Sequence, residues 1–184
     1  MPFKFERKSI PDVVVVEKRS FEDERGFFEE TYKESPFKEF GINRIFLQDN
    51  HSFSKKGVLR GLHFQRFPQA QGKLVSVISG KIFDVAVDLR PESKHLGKWV
   101  YEYLSADNHK MLWIPEGFAH GFVAMEDSHV IYKATNEFHQ ELDDGIIWND
   151  TDLKIEWPLS KCIVSEKDLA LGSFKDAMKR GVFK

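Results

Sequence analysis

A single cysteine, Cys162, serves a chain of 184 residues, so there is no intrachain disulfide and no cysteine-built zinc site. An excess of charge of one sign is also missing: 27 Lys and Arg stand against 29 Asp and Glu, a formal net charge of -2. A general nucleic-acid or polyanion binder shows a basic excess that this chain lacks, so any anionic ligand must be gripped by a local cluster of cations. No run approaches the ~20 apolar residues of a transmembrane helix. The opening MPFKFERK is charged from its fourth residue, without the apolar stretch of a signal peptide. These absences predict a soluble, cytoplasmic chain with neither a membrane nor a nucleic-acid partner. Tyrosine is scarce, with 4 against 17 Phe. Any phenol proton donor is therefore Tyr32, Tyr101, Tyr103 or Tyr132, and the Phe excess reads as an aromatic-rich β core.

What is present is short and β-like. With 41% hydrophobic residues the chain can bury a sizeable core, and no repeat, low-complexity tract or linker divides it, which predicts one domain over residues 1–184. Residues 74–88 hold two β-branched runs around Ser79-Gly80-Lys81, the pattern of a hairpin. Residues 13–17, 46–53, 99–104, 109–114, 120–125 and 129–138 predict further strands. Helices are few: Ser35 as a cap, Pro36 at the first helical position and Gly41 as a stop predict one, and residues 174–180 a second. The class is all-β, a barrel or sandwich with short peripheral helices. The turn Pro115-x-Gly117-x-x-His120 and the strand Gly61-x-His63, with Gly80 downstream, resemble the two half-motifs of a cupin jelly roll.

Metal-binding cupins need His-x-His and a nearby Glu; here the second position is Gln65 and no Glu follows closely. That donor set does not complete a zinc or iron site, so no metal is expected. A neutral His63 or His120 is instead suited to general-base work near pH 7, best when a carboxylate fixes its tautomer. Asp168 in Ser165-x-x-Asp168 reads either as that carboxylate or as part of a helix cap. Lys73 reads either as a solvated strand end or as an ammonium aimed at a developing oxyanion. Tyr132, sharing a strand face with Ala134, Asn136 and Phe138, reads as a pocket residue or as core packing. Gln48 and Asn50 put two amides on one face, complementary to a pyrimidine edge, and Arg60 suits a phosphate. Residues 23–30 (DERGFFEE) read as a charged, solvated turn running into a strand.

Together, the segments DERGFF (23–28), QDN (48–50), GVLRGLHFQ (57–65), QGKLV (71–75), FDVAVDLR (83–90), IPEGFAHGF (114–122) and SEKD (165–168) resemble the dTDP-4-dehydrorhamnose 3,5-epimerases. They run in order from about residue 10 to 170, nearly the whole chain. The resemblance implies a metal-free cupin epimerase, without an organic cofactor, that inverts C3 and C5 of a dTDP-4-keto-6-deoxyhexose on the route to dTDP-L-rhamnose. It implies His63 as base, oriented by Asp168, Lys73 at the enolate oxygen and Tyr132 as proton donor. It further implies Arg25, Glu30, Arg60 and Lys167 at the nucleotide and diphosphate, Gln48, Asp49 and Asn50 beside the thymidine, and His120 at the sugar. Phe138 stands where the family commonly has a thymine-stacking Tyr, and Asp143 where it commonly has Glu. A homodimer that exchanges strands is implied as well. The alternatives are a relative that inverts one centre only, and a non-catalytic cupin that binds a sugar nucleotide.

Overall fold

The computed structural model describes residues 2–183. In chain order it contains β1 (Phe3–Arg7), β2 (Val14–Lys18), β3 (Ser20–Asp23), β4 (Gly26–Glu29), α1 (Glu34–Phe40), β5 (Gln48–Ser54), β6 (Val58–Gln65), β7 (Lys73–Ser79) and β8 (Lys81–Asp88). There follow β9 (Trp99–Ser105), β10 (Lys110–Ile114), β11 (Phe118–Ala124), β12 (Ser128–Ala134), a 3-10 turn (Gln140–Leu142), β13 (Asp143–Gly145), β14 (Ile163–Val164), α2 (Glu166–Leu169) and α3 (Phe174–Arg180). One sheet runs β1-β2-β10-β7-β12-β5, the other β13-β6-β11-β8-β9, and β14 lies parallel to β6. Two stacked antiparallel sheets are what the strand-rich sequence predicts.

Side-chain alternation sorts each strand between layers. Val75, Val77, Leu112 and Val130 of the first sheet meet Ile82, Ala86, Leu104, Phe118 and Phe122 of the second in a shared core. The outer face of the second sheet, with Phe64, Phe83 and Val85, is covered by Ile146, Leu153, Ala177 and Phe183 from the C-terminal segment. The outer face of the first sheet carries Leu74, Met111 and Trp113, which pack under Phe37 and Ile42 around α1. With both faces covered, β2 has no room for alternation and reads Val14-Val15-Val16.

Three sequence expectations change in detail. Ser35 does not cap α1: Lys33 occupies the cap position without a side-chain bond, and Gly41 ends the helix at φ 106°. Pro36 sits within the first turn, where the missing N–H has no helical partner to lose. The strand through Tyr132 stops at Ala134, so Asn136 and Phe138 do not share a strand face with Tyr132. The Phe excess is not all core: Phe21, Phe27, Phe28, Phe53, Phe67 and Phe138 are exposed. The predicted helix over residues 174–180 is present and starts with a Ser173–Asp176 capping box.

Candidate active site

The space between the sheets is apolar at one end and polar at the other. By alternation from the core residues of the same strands, Lys73, Tyr132, Gln48 and Asn50 face inward from the first sheet. From the second sheet His120 and Asp84 share their strand faces with Phe122 and Ala86. Strand β6 contributes both Arg60 and His63, three residues apart, which strict alternation forbids. Its ladder with β11 pairs His120 with His63 and then Phe122 with Arg60, a register shift. The extra residue is a β-bulge, and it resets the alternation so that the Arg60 and His63 side chains turn to one side. Gly61, at φ +125°, makes it; a Cβ there would lie 2.5 Å from the Gly121 Cα and 2.8 Å from the His120 carbonyl oxygen.

Each inward histidine is anchored to its own aspartate. His63 Nε2 lies 2.8 Å from Asp168 Oδ1, and the other carboxylate oxygen accepts from the Gly61 N–H at 3.1 Å. The two sequence readings of Asp168 both hold, because its backbone N–H also donates to the Ser165 Oγ cap at 3.1 Å. Burial pushes the Asp168 carboxyl up, but the His63 ring, the Gly61 amide and the Ser165 hydroxyl together hold it below the usual range. An ionised Asp168 accepts only, so His63 carries its proton on Nε2 and leaves Nδ1 as a lone pair. The second dyad joins His120 Nε2 to Asp84 Oδ1 at 2.6 Å. The sequence analysis did not single out Asp84, although a carboxylate within an otherwise apolar run in β8 was a signal.

Lys73 is partly buried at the start of β7, and burial pulls its ammonium down to about 8, with the carboxylates of Asp143 and Asp84 opposing the fall. Its Nζ sits 5.6 Å from the centre of the Tyr132 ring. Burial raises the Tyr132 phenol, Asp143 raises it further and Arg60 works against both. Arg60 donates to Ser54 Oγ at 2.9 Å and to the Phe53 carbonyl at 3.1 Å. Lys167 pairs with Asp143 at 2.5 Å, which raises the lysine. His63, Arg60, Lys167 and Asp168 thus line one cleft of about 430 Å³. The local cations demanded by a net charge of -2 are gathered here.

The residues expected beside the thymidine divide. Gln48 donates to Asn50 Oδ1 at 2.8 Å and accepts from the Phe138 N–H at 2.8 Å, so its amide is engaged in placing Phe138. The Phe138 ring is 52% exposed and free to stack. Asp49 is not brought to the site: it lies on the outer face of β5 and pairs with Lys133 at 2.9 Å. Arg25 and Glu30 are not brought there either. The Arg25 guanidinium is exposed and held by its own Asp23, and the Glu30 carboxylate pairs with Lys33. Among the described residues no group of three or more His, Cys, Asp or Glu is arranged to hold a metal ion.

A neutral imidazole backed by a carboxylate, a partly buried ammonium and a protonated phenol form a set for moving protons next to a carbonyl. The sequence profile of the dTDP-4-dehydrorhamnose 3,5-epimerases matches residues 7–176. The chain belongs to this family. A family member of that name from Salmonella typhimurium is 53% identical over 167 residues, covering 89% of this chain and 91% of the relative. The crystal structure of the Sulfolobus tokodaii dTDP-4-dehydrorhamnose 3,5-epimerase superposes with a TM-score of 0.92 at 45% identity, covering 100% of both chains. That of the Legionella pneumophila dTDP-6-deoxy-D-glucose-3,5-epimerase, in complex with dTDP-4-keto-L-rhamnose, gives 0.91 at 43% identity, covering 94% of this chain and 93% of the other. The two-sheet barrel described above is therefore the fold of this family, a cupin-like jelly roll.

Proposed function

We propose that this barrel inverts C3 and C5 of dTDP-4-dehydro-6-deoxy-D-glucose to give dTDP-4-dehydro-L-rhamnose, with His63 as base, Lys73 as enolate stabiliser and Tyr132 as proton donor. The observation that carries this reading is the placement of base and acid on opposite sheets. His63 projects from the second sheet, and Tyr132 from the first. A flat enolate held between them loses its proton to one side and regains one from the other, which inverts the carbon.

The C4 ketone acidifies the C–H bonds at C3 and C5. His63 Nδ1 takes one of these protons, and the C–H electron pair moves into the enolate, leaving negative charge on O4. The developing imidazolium is stabilised by Asp168 at 2.8 Å. A Lys73 ammonium near 8 is charged in about ten molecules to one at pH 7, and it meets the O4 charge inside an enclosed site, where such contacts are strongest. Tyr132, its phenol raised by burial, stays protonated until the enolate carbon accepts its hydrogen from the opposite face. Proton exchange with solvent resets both groups, and the sequence repeats at the second carbon. Asp168, Arg60, Lys167 and His120 are assigned to orienting the base, gripping the diphosphate and lining the sugar pocket; Phe138 stacks on the thymine and Asn50 meets its edge. Asp143, already paired with Lys167, closes the sugar side.

A homodimer belongs to this reading. The β3–β4 hairpin presents exposed Phe21, Phe27 and Phe28 next to Arg25, whose guanidinium is held only by its own Asp23 among the described residues, and an apolar groove of about 350 Å³ on the first sheet includes Leu74, Met111 and Ile131. Arg25 and Glu30 then serve the partner's cavity. The reading treats residues 1–184 as one unit, since each sheet draws strands from distant parts of the chain. No helix among the described residues is long and apolar enough to cross a membrane, and a nucleotide-sugar substrate with an unpaired Cys162 supports a cytoplasmic setting.

Turnover in deuterated water is expected to place deuterium at both C3 and C5. His63→Ala is expected to abolish exchange at both carbons, and Tyr132→Phe to retain exchange while blocking full inversion. Exchange at one carbon only establishes the single-centre alternative, and retained double exchange in His63→Ala overturns the base assignment.

A further inference from the structure

Asp84 carries more than a hydrogen bond to a neighbour. Its side chain is 0% exposed, and it lies on the interior face of β8 between Ile82 and Ala86. Oδ1 accepts from His120 Nε2 at 2.6 Å, whereas Oδ2 is buried with no partner at all. A buried carboxylate with an empty oxygen is costly to folding and survives where its charge acts on something. Two groups can feel it. One is His120, whose ring it grips; the other is Lys73, whose ammonium its field favours. The base is not one of them, because His63 is oriented separately by Asp168.

We propose that Asp84 is a positioning residue that orients the His120 imidazole and anchors the Lys73 ammonium at the ketone end of the cavity. This rests on the assignment of Lys73 to the enolate oxygen. Since Asp84 accepts at Nε2, His120 presents Nδ1 to the sugar, and Lys73 keeps its proton against the pull of burial. The other ionisable groups facing Lys73 are Tyr132 on β12, Asp143 on β13, His120 on β11 and Arg60 with His63 on β6; β10 offers it only Ile114. Asp143 is shared with Lys167 and His63 with Asp168. Asp84 is thus the one carboxylate near Lys73, among the described residues, whose unpartnered oxygen is buried.

The test is the pH profile of kcat and KM for purified Asp84→Asn, Asp84→Glu, Lys73→Met and wild type with dTDP-4-keto-6-deoxyglucose. Wild type is expected to lose activity above about pH 8 as Lys73 deprotonates. In Asp84→Asn that alkaline limb is expected to move down by about one pH unit, with kcat at pH 8 falling about fivefold and KM little changed. Asp84→Glu keeps the charge, so its limb is expected to stay within about 0.3 unit of wild type even though the displaced His120 lowers kcat. An Asp84→Asn limb at the wild-type position overturns the proposal, however far the rate falls. Where Asp84→Asn does not fold, Asp84→Glu decides: a limb moved by more than about half a unit overturns it. Lys73→Met with wild-type activity refutes the Lys73 assignment instead, a separate failure.

Discussion

Replacing Asp168 with Asn tests the base through its tautomer. The carboxylate accepts two hydrogen bonds in the same place, from His63 Nε2 at 2.8 Å and from the Gly61 N–H at 3.1 Å. Asparagine has the same shape but a single accepting oxygen. The Gly61 N–H is fixed by the bulge and always donates, so the amide oxygen turns to it and the NH2 turns to His63. Facing a donor, the imidazole must move its proton from Nε2 to Nδ1. The base then has no lone pair toward the sugar and no anion to stabilise its imidazolium. A loss of about 10²–10⁴ in kcat/KM is expected, equal to about 3–5 kcal/mol at the transition state. Deuterium wash-in followed by NMR is the assay, and both carbons should slow together because one base serves both. A loss below about tenfold, or slowing at one carbon alone, refutes the tautomer argument. A stability signature accompanies it. Asp168 is held below its unfolded value, so its contribution is complete above about pH 4 and is lost as pH falls through the folded value. The melting temperature of Asp168→Asn is therefore expected to change less between pH 5 and pH 3 than that of wild type.

Gly61→Ala should damage the fold and the site together. The left-handed φ of +125° and the 2.5 Å approach to the Gly121 Cα each cost about 1–3 kcal/mol, which lowers the melting temperature by about 10 °C in a chain of this size; a fall under about 2 °C refutes the close-approach argument. Site sharing predicts complementation. Arg25→Ala and His63→Ala homodimers, each nearly inactive, are expected to recover about a quarter of wild-type activity after mixing and subunit exchange, because half the dimers become mixed and each mixed dimer keeps one intact site of two. No recovery, with exchange shown by mass, places Arg25 outside the partner's site.

Much of the architecture was legible because its signals are local. The β-branched runs around Ser79-Gly80-Lys81 form the hairpin they predict, β7 and β8, and Gly41 stops α1 where a left-handed residue is needed. What failed locally is equally specific. Ser35 looked like a cap only because Ser-Pro is common at helix starts; the helix begins two residues earlier than that reading, at Glu34. Asp49 is exposed although its neighbours Gln48 and Asn50 face inward, since adjacent strand residues point to opposite faces. The amides of Gln48 and Asn50, legible as a polar pair, bond partly to each other, a geometry that residue type alone does not specify. The site's central contact joins residues 105 apart in sequence, so only the family resemblance could pair His63 with Asp168. Asp84 escaped for the opposite reason. Its strand was legible, but a buried acid in an apolar run has meaning only once the strand beside it is known to carry His120.

The bulge at Gly61 sets Arg60 and His63 on the same side of the barrel. A regular β6 would send Arg60 and His63 to opposite sides, leaving the diphosphate cation and the base in different compartments. One extra residue brings both to the same cleft, and the same turn frees the Gly61 N–H to hold the second oxygen of Asp168. The cation proposed for the phosphates, the proposed base and the aspartate that fixes its tautomer therefore share one backbone irregularity. The proton donor comes from the other sheet, where Tyr132 lies beside Lys73. Stereochemical inversion then follows from the spacing of two sheets with a flat enolate between them. A relative that inverts a single carbon needs no different base, only a donor that fails to reach one of the two positions.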